Sequence, residues 1–230
     1  MVGGPNKQFN RGGTLMMTWD AATDVLAKTE PPTNYTLAVM QKVDVATVVR
    51  ALRGWYPDIV VGAESCHLTE EFYLSQTALI DASEERSILP IVARFHDEIV
   101  GMITYEKNVD ARTITCRMGA VAPEHRGTGL AMFGPILLEK IGAAIGAELA
   151  LYYATLKTKD QQVLAERMRY QLVGIVPAFD RDMVQPGEIK RVYEALYAKV
   201  LISSDGVVKP PLSALSFRTR KVWNAIFGEA

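Results

Sequence analysis

Residues 121–131 read Val-Ala-Pro-Glu-His-Arg-Gly-Thr-Gly-Leu-Ala. An alternating pattern typical of a β-strand enters this stretch from Thr113, and an apolar pattern of helical period leaves it as far as Ile145. Gly127 and Gly129 allow the backbone of the intervening turn to approach a ligand closely, since neither has a Cβ atom. The first turn of the following helix would present free N–H groups and the positive end of the helix dipole. The stretch therefore predicts a binding site for a phosphate or pyrophosphate.

Two common phosphate-binding motifs do not fit this stretch. A P-loop requires Gly-x-x-x-x-Gly-Lys-Ser/Thr, which the sequence lacks. A dinucleotide-binding turn requires three glycines spaced Gly-x-Gly-x-x-Gly, and Met132 stands where the third would be. The order of strand, Val-x-Pro, Arg-x-x-Gly-x-Ala and helix instead resembles motif A of the GNAT superfamily, the acyl-CoA-dependent N-acyltransferases. The residues that carry this resemblance are Val121, Pro123, Arg126, Gly129 and Ala131.

The resemblance implies an α/β GNAT fold, with a mixed, mostly antiparallel sheet whose central parallel strand pair is splayed around the cofactor and flanked by helices. It implies acetyl-CoA as the acyl-donor substrate, with no metal. The pantetheine arm would lie between the predicted parallel strands, 111–121 and 147–154. In such a site a backbone N–H near the end of the first of these strands polarises the thioester carbonyl. The implied cofactor-binding residues are Val121, Arg126, Gly127, Thr128, Gly129, Leu130 and Ala131.

The resemblance also implies an enzyme, an N-acetyltransferase that moves the acetyl group directly from acetyl-CoA to a primary amine of an unidentified acceptor. Two alternatives stay open. One is a longer-chain N-acyltransferase that uses an acyl-CoA or acyl carrier protein donor, and the other is a non-catalytic acyl-CoA-binding regulator. The expected partner is a small-molecule or peptide amine, and a homodimer is a further expectation.

One side chain is a candidate for proton transfer to the departing thiolate. Members of the superfamily often carry a tyrosine four residues before the glycine that follows the last helix of the core. Tyr170 and Gly174 have this spacing. A phenol held within reach of the sulfur can act as a general acid.

The general base is not evident in the sequence. Many GNAT enzymes place a glutamate on the fourth strand, several residues before the Val-x-Pro, where this chain has Arg117 and Met118. Glu106 is a substitute candidate, and a water chain is another. The chain also lacks the asparagine with which many members contact the cofactor, a position that Gln161 or Gln162 could fill.

Composition excludes several classes of function. The chain has 230 residues, of which 49% are hydrophobic and 22% charged, as in ordinary globular proteins. A net charge of -1 gives no basic surface for nucleic acid or an anionic membrane. No apolar run approaches the ~20 residues that span a bilayer, and residues 1–14 lack the apolar core of a secretory signal. We therefore expect a cytoplasmic protein.

The remaining patterns predict the other elements of the core. We expect a first strand at 35–43, helices at 45–55 and 68–80, and a meander of strands at 88–95, 99–106 and 111–121. In GNAT proteins the region between the first two strands shapes the acceptor pocket. Aromatic residues in this region could line the pocket, although packing on the sheet is favoured for each of them: Trp55, Tyr56, Phe72 and Tyr73.

The last predictions concern helix ends and domain limits. Pro135 should kink the motif helix. A helix at 161–172 should end near Gly174, before a closing hairpin with a polar loop at 181–188. We expect three regions, namely a mobile N-terminal extension at 1–33, a GNAT domain at 34–201, and a C-terminal extension at 202–230 with a short helix at 216–227. Within the first region, 20–28 could form a short helix, although a frayed segment is slightly favoured.

Overall fold

In the computed structural model, which describes residues 17–82 and 85–228, seven strands form one sheet. Their bounds are β1 (Tyr35–Val39), β2 (Ile88–Phe95), β3 (Glu98–Asn108), β4 (Thr113–Val121), β5 (Leu149–Thr155), β6 (Gln171–Gln185) and β7 (Glu188–Val200). Their order across the sheet is β1-β2-β3-β4-β5-β7-β6. Every neighbouring pair is antiparallel except β4 and β5, which are parallel. The predicted mixed, mostly antiparallel sheet with one central parallel pair is confirmed.

Helices cover both faces of this sheet. Their bounds are α1 (Asp20–Ala27), α2 (Val45–Trp55), α3 (Glu70–Gln76), α4 (Phe133–Ile145), α5 (Asp160–Arg167) and α6 (Phe217–Phe227). On one face, buried apolar residues of α1, α4 and α5 form a core with β4, β5 and β7. On the other face, α2 and α3 form a second core with β2, β3 and β4. The sheet therefore separates two apolar layers, as the fold class requires.

The N-terminal helix packs closely, and the expectation that 20–28 is frayed is wrong. Ala22 and Leu26 of α1 are buried in the core beside α4. Trp19, just before the helix, is also buried, and its indole N–H donates to the carbonyl of Arg86 at 2.8 Å. Apolar burial at helical spacing outweighs the glycine and proline residues around this segment. Residues 1–16 lie outside the described residues.

The parallel pair separates halfway along its length. Pairing begins at Thr113 and Leu149 and ends at Cys116 and Tyr152. Each strand then continues without pairing to the other, β4 to Val121 and β5 to Thr155. The nearly unbroken apolar run at 147–154 predicts a strand buried on both faces, but alternate residues of β5 are only half-buried, so this prediction is wrong. Of the half-buried residues, Tyr153 and Thr155 line the cleft that opens where the strands separate.

The α-helix that follows the motif begins only at Phe133, so Pro135 lies at its start and not in its interior, where a kink was expected. A 3₁₀ turn, Leu130–Met132, leads into α4 at Phe133. Pro135 therefore lies in the first turn of the α-helix, where a backbone N–H has no intrahelical acceptor. The absent N–H of proline costs no helical hydrogen bond there, and the ring is compatible with the helix start.

The segment after β5 also differs from the prediction. Helix α5 ends at Arg167, and Arg169 takes the left-handed conformation with φ 59°. Gly174 lies within β6 and does not end the helix. The predicted polar loop at 181–188 is mostly strand, since β6 and β7 pair up to a two-residue turn at Pro186 and Gly187, where Gly187 has φ 79°.

Smaller differences concern the ends of other elements. The first strand ends at Val39, because a 3₁₀ turn at Lys42–Asp44 precedes α2. Helix α3 is shorter than 68–80, since Ala63–Leu68 forms a separate 3₁₀ segment. Helix α6 agrees with the predicted C-terminal helix and starts with Ser216 as its cap. It buries no residue, and the division of the chain into three regions stays a prediction.

Candidate active site

A cleft of about 1420 Å³ opens where β4 and β5 separate. It reaches from the glycine turn after β4 to a group of charged residues on the far side of the sheet. We call residues 121–131 the donor wall of this cleft. We call the charged group, formed by Glu64, Arg117, Asp180 and Glu194, the acceptor wall.

The turn of the donor wall has the geometry of an anion site. Gly127 and Gly129 have φ 80° and 90°, a conformation that residues with a Cβ atom rarely adopt. A Cβ added at either glycine would meet no atom within 4 Å, so the space above both is open. Among the described residues, nothing accepts a hydrogen bond from the N–H groups of Gly127, Thr128 and Gly129. Open space and free N–H groups fit a phosphate group.

Neighbouring side chains hold the turn in place. The Tyr35 hydroxyl lies 2.8 Å from Nδ1 of His125, and the Thr128 hydroxyl donates to the carbonyl of His125 at 2.8 Å. Phe95 packs against the same imidazole, with ring centroids 5.1 Å apart. The imidazole of His125 therefore connects the turn to β1 and β2.

Arg126 connects the turn to helix α2. Its guanidinium donates to the carbonyls of Val121 and Trp55, at 3.3 Å each, and lies 4.9 Å from the centre of the Tyr56 ring. Its backbone N–H donates to Pro123 at 3.3 Å. Of the N–H groups predicted to bind the pyrophosphate, that of Arg126 is therefore already engaged, and its side chain fixes the geometry of the turn.

The backbone of Val121 faces the gap. The N–H of Ala122 donates to Val100 on β3 at 2.8 Å. Because N–H groups alternate in direction along an antiparallel strand, the N–H of Val121 points away from β3, toward the place that β5 has left. Of the predicted cofactor residues, those that line the cleft are Val121, Arg126, Gly127, Gly129, Leu130 and Ala131. Their contact with acetyl-CoA, and that of Thr128, stays a prediction.

Tyr170 lies in the core. It is 4% exposed, is not among the residues lining the cleft, and its hydroxyl donates to the carbonyl of Pro135 at 3.1 Å. Gly174, from which the spacing to Tyr170 was counted, lies within β6 and does not end the helix, and the left-handed residue after α5 is Arg169. Four residues before Arg169 stands Ala165, which has no hydroxyl. The role of Tyr170 in proton transfer stays a hypothesis.

Arg117 stands where a strand-four glutamate was expected, and it joins two carboxylates of the cleft. Its guanidinium lies 3.6 Å from Glu64 and 3.5 Å from Glu106. Burial opposes ionisation of Glu64, yet contacts with His67 and Arg117 hold the pKa of Glu64 below its usual value. Although burial disfavours the charged ring, contacts with Cys66 and Glu64 raise the pKa of His67. Both shifts favour the ionised pair of Glu64 and His67.

The hairpin β6–β7 supplies the rest of the acceptor wall, which the sequence did not predict. Asp180 accepts a hydrogen bond from the N–H of Ala63 at 3.0 Å. Phe179 stacks on Tyr153 of β5, with ring centroids 4.6 Å apart. Burial, followed by the negative charges of Asp180, Glu64 and Asp182, raises the pKa of Glu194 to about 7. No motif marks these positions, because only strand pairing brings the hairpin to the cleft.

Glu64, Cys66 and His67 bring a carboxylate oxygen, a thiol sulfur and an imidazole nitrogen within 4.8 Å of one another. These are donor types that Zn²⁺ takes. However, His67 Nδ1 already lies 3.1 Å from the carbonyl of Glu64, and the thiol donates to the carbonyl of Ala63 at 3.4 Å. Arg117 also supplies a positive charge to Glu64. We interpret the group as a hydrogen-bond cluster that fixes the 3₁₀ segment.

The other candidate residues named from the sequence lie partly at the cleft and partly in the core. Gln161 lines the cleft and accepts a hydrogen bond from the hydroxyl of Tyr152. Tyr56 also lines the cleft, whereas Phe72 and Tyr73 are buried in the core. Within the described part of the chain, no helix is both long and apolar enough to cross a membrane.

Comparison with known proteins agrees with this fold. Residues 50–156 match the model of the acetyltransferase (GNAT) family. Among solved structures, a mutant of the spermidine N-acetyltransferase SpeG of Vibrio cholerae has a TM-score of 0.58 at 13% identity, covering 74% of this chain and 95% of its own. The ribosomal-protein-S5-alanine acetyltransferase of Vibrio fischeri has a TM-score of 0.56 at 10% identity, and the match covers 79% of this chain and 98% of that protein. No curated protein matches the chain in sequence.

The family match includes β2 to β5 and the whole donor wall, and the solved structures share the surrounding fold. The resemblance first seen in residues 121–131 is thereby confirmed, since the GNAT family model matches residues 50–156 and the solved structures that share the fold are named as acetyltransferases.

Proposed function

We propose that this protein is an N-acetyltransferase that transfers the acetyl group of acetyl-CoA directly to a primary amine. The observation that carries the proposal is the cleft between the separated ends of β4 and β5, with the free N–H groups of the glycine turn at one end. Acyl transfer between two substrates needs a site for each, held in line. A through-going cleft with one wall for each substrate supplies that arrangement.

The donor wall supports acetyl-CoA as the acyl donor. The pyrophosphate would lie on the N–H groups of Gly127, Thr128 and Gly129, at the start of α4. The pantetheine arm would occupy the gap beside β4, which leads to Val121. The N–H of Val121 would then donate to the thioester oxygen as negative charge develops on it in the transition state.

The acceptor wall supports a cationic substrate. Three of its four members are carboxylic acids, and the single guanidinium of Arg117 is shared between Glu64 and Glu106. Such a wall attracts an ammonium group to the end of the cleft that faces the donor. Spermidine and a ribosomal protein appear in the names of the similar structures. At 10–13% identity these similarities show the fold and leave the acceptor of this protein open.

Direct transfer is favoured over a covalent enzyme intermediate. The cysteine that lines the cleft is Cys116. Burial, followed by the charge of Glu64, raises the pKa of its thiol to about 12, so the nucleophilic thiolate is scarce at neutral pH. We therefore infer that the amine attacks the thioester without an acyl-cysteine step.

A donor screen tests this proposal against its alternatives. Acetyl-CoA, longer acyl-CoAs and acyl carrier protein would each be offered with a panel of primary amines, while thiol release is measured. Amine-dependent release from acetyl-CoA supports the proposal. Preference for long chains, or tight acyl-CoA binding without any release, would favour the acyltransferase or regulator alternative instead. The cytoplasmic location and the homodimer stay predictions.

A further inference from the structure

Transfer to an amine requires a group that removes a proton from the incoming ammonium, because only the neutral amine has a lone pair to attack with. The fourth-strand position that would carry this group holds Arg117. We propose that Glu194 on β7 is the general base of the reaction, an inference that rests on the proposed N-acetyltransferase function. The position of Glu194 along the sheet, the direction of its side chain and the charged groups around it support this role.

Strand register places Glu194 beside the expected reaction centre. Glu194 pairs with Thr155 at the end of β5. Tyr152 lies beside Cys116 in the last parallel pair, so three residues further along both strands Thr155 is level with Gly119. Gly119 is two residues before Val121, a distance of ~7 Å along the strand. Along the strand direction, Glu194 therefore lies within ~7 Å of the level of the N–H that would hold the thioester oxygen, on the far side of β5.

The strand register places the earlier candidate, Glu106, too far along the sheet from Val121 to act as the base. Glu106 pairs with Thr115 on β4, six residues before Val121 and ~20 Å along the strand. It also lies 3.5 Å from Arg117, to which it is paired by charge. Glu106 lines the same cleft, but at the end remote from the donor.

Side-chain alternation turns Glu194 toward the cleft. Its neighbour Ala195, and Tyr197 two residues further on, are buried in the core that contains α4. Successive strand residues point to opposite faces, so Glu194 projects to the other face, where it lines the cleft. Phe179 lines the cleft beside it and stacks on Tyr153.

Charged groups around Glu194 favour its neutral form at physiological pH. Asp180 and Asp182 approach it from β6, and Glu64 approaches it from the 3₁₀ segment before α3. Two of these negative groups have cationic partners of their own, Asp182 with Lys157 at 2.5 Å and Glu64 with Arg117 at 3.6 Å.

In residues 17–82 and 85–228 no lysine or arginine forms an ion pair with Glu194. Burial and the three negative neighbours raise its pKa to about 7. A base is most effective when its pKa lies near the working pH, since it is then both available and basic enough to accept the proton.

In the proposed reaction, proton removal from the ammonium group precedes acyl transfer. The carboxylate of Glu194 accepts one proton from the ammonium group and leaves a neutral amine. The amine nitrogen forms a bond to the thioester carbon, and the carbon–sulfur bond breaks with its electron pair on sulfur. The nitrogen releases its second proton to the thiolate, which yields the amide and CoA thiol, and Glu194 returns its proton to solvent.

The kinetic test compares Glu194→Gln with two matched variants, Glu106→Gln and Glu188→Gln. Glu188 lies on the same strand, half-exposed and paired with Lys190 at 2.6 Å, away from the cleft. The measurement is kcat/KM against pH, with acetyl-CoA and an amine that the donor screen identifies. We expect Glu194→Gln to lower the rate by roughly 10²–10⁴-fold and to abolish the acid limb of the profile. The KM for acetyl-CoA and the whole profile of Glu188→Gln should be unchanged, and the acid limb should persist in Glu106→Gln.

A second measurement follows the ionisation of the Glu194 carboxyl group in the absence of substrates. Carboxyl ¹³C signals of glutamate are followed by NMR as pH is varied, and the signal that Glu194→Gln removes identifies Glu194. We expect a midpoint near 7. A midpoint near 4.5 in an active enzyme, or an acid limb that disappears in Glu106→Gln and not in Glu194→Gln, overturns the role of Glu194 alone. Absence of acyl transfer from the wild type to every amine overturns the proposed function and this role with it.

Discussion

The two walls of the cleft are built in different ways. The donor wall is one continuous stretch, residues 121–131, and offers mainly backbone N–H groups over two glycines with positive φ. The acceptor wall offers side chains, from Glu64 before α3 to Glu194 on the last strand of the sheet. A site made of local backbone leaves a sequence motif, because the turn itself needs glycines at fixed spacing. A site made of distant side chains leaves none.

The largest effect should follow from a change in the donor wall. Gly129→Glu places a side chain in open space at φ 90° and adds a negative charge where the pyrophosphate would lie. We expect no measurable binding of CoA by titration calorimetry, in a protein that still unfolds cooperatively. The substitution leaves the acceptor wall unchanged, so a loss of CoA binding can be assigned to the donor wall.

A milder substitution at the same position controls for backbone strain. Gly129→Ala imposes the same unfavourable φ, at about 1–2 kcal/mol, without charge and with only one added carbon atom. It should weaken CoA binding less than Gly129→Glu does. Unchanged CoA affinity in folded Gly129→Glu would contradict the donor wall as the pyrophosphate site.

Most of the fold followed from local sequence patterns, and the failures have physical reasons. The meander and α2 were predicted correctly because their hydrophobic periods are strong and their ends carry turn residues. Helix α1 was missed because its buried face becomes visible only against α4. The end of α5 was misplaced because Arg169 adopts a conformation usually taken by glycine.

The site shows the same division. Gly127 and Gly129 were predicted to face a ligand because their conformational role is local. Glu194 was missed, since its raised pKa depends on Asp180 and Glu64, which lie in other segments. Arg117 was noticed as a departure from the motif, but its contacts with two carboxylates could be found only from the structure.

The acceptor wall should make stability depend on pH. Glu194 has a pKa of about 7 in the folded protein and 4.5 as its ordinary value. Between these values the folded state holds a proton that the unfolded chain releases, so the free energy of unfolding decreases as pH rises through this range. We expect Glu194→Gln to remove this decrease, which stabilises the variant relative to wild type above about pH 7 and not below about pH 4.5.

Urea unfolding at both ends of this range measures the difference. Glu188→Gln is the control, because it removes an exposed carboxylate whose ion pair contributes only about 0–1 kcal/mol. Parallel curves of stability against pH for wild type and Glu194→Gln would show that Glu194 titrates in its ordinary range.

Tyr170→Phe decides whether a residue outside both walls takes part in catalysis. The hydroxyl is buried and bonded to the carbonyl of Pro135. Its removal should lower the free energy of unfolding by about 0.5–1.5 kcal/mol, the net contribution of one hydrogen bond, because the carbonyl keeps its helical N–H partner within α4. From this geometry we expect turnover to change little. The general-acid hypothesis instead requires a loss of roughly 10²–10⁴-fold in kcat, so steady-state kinetics beside a melting curve distinguishes the two roles.

The smallest effect should come from the C-terminal extension, which contributes to neither wall. Helix α6 buries no residue, and Phe217, Val222 and Phe227 are each at least half exposed. Deleting residues 203–230 should therefore leave the melting temperature and the CoA affinity close to those of the full chain. The cut retains Leu201, which packs against the core and whose N–H donates to Glu148 at 2.9 Å.

A longer deletion supplies the control for this prediction. Removing residues 199–230 also removes Leu201 and Lys199, whose ammonium group lies 2.6 Å from Glu139 on α4. This variant should melt at a lower temperature, because it loses apolar packing and an ion pair of the core. If the shorter deletion is already insoluble, or loses CoA binding, α6 is part of the core or of an obligatory dimer. Sedimentation of the full chain, as monomer or dimer, then decides between these two explanations.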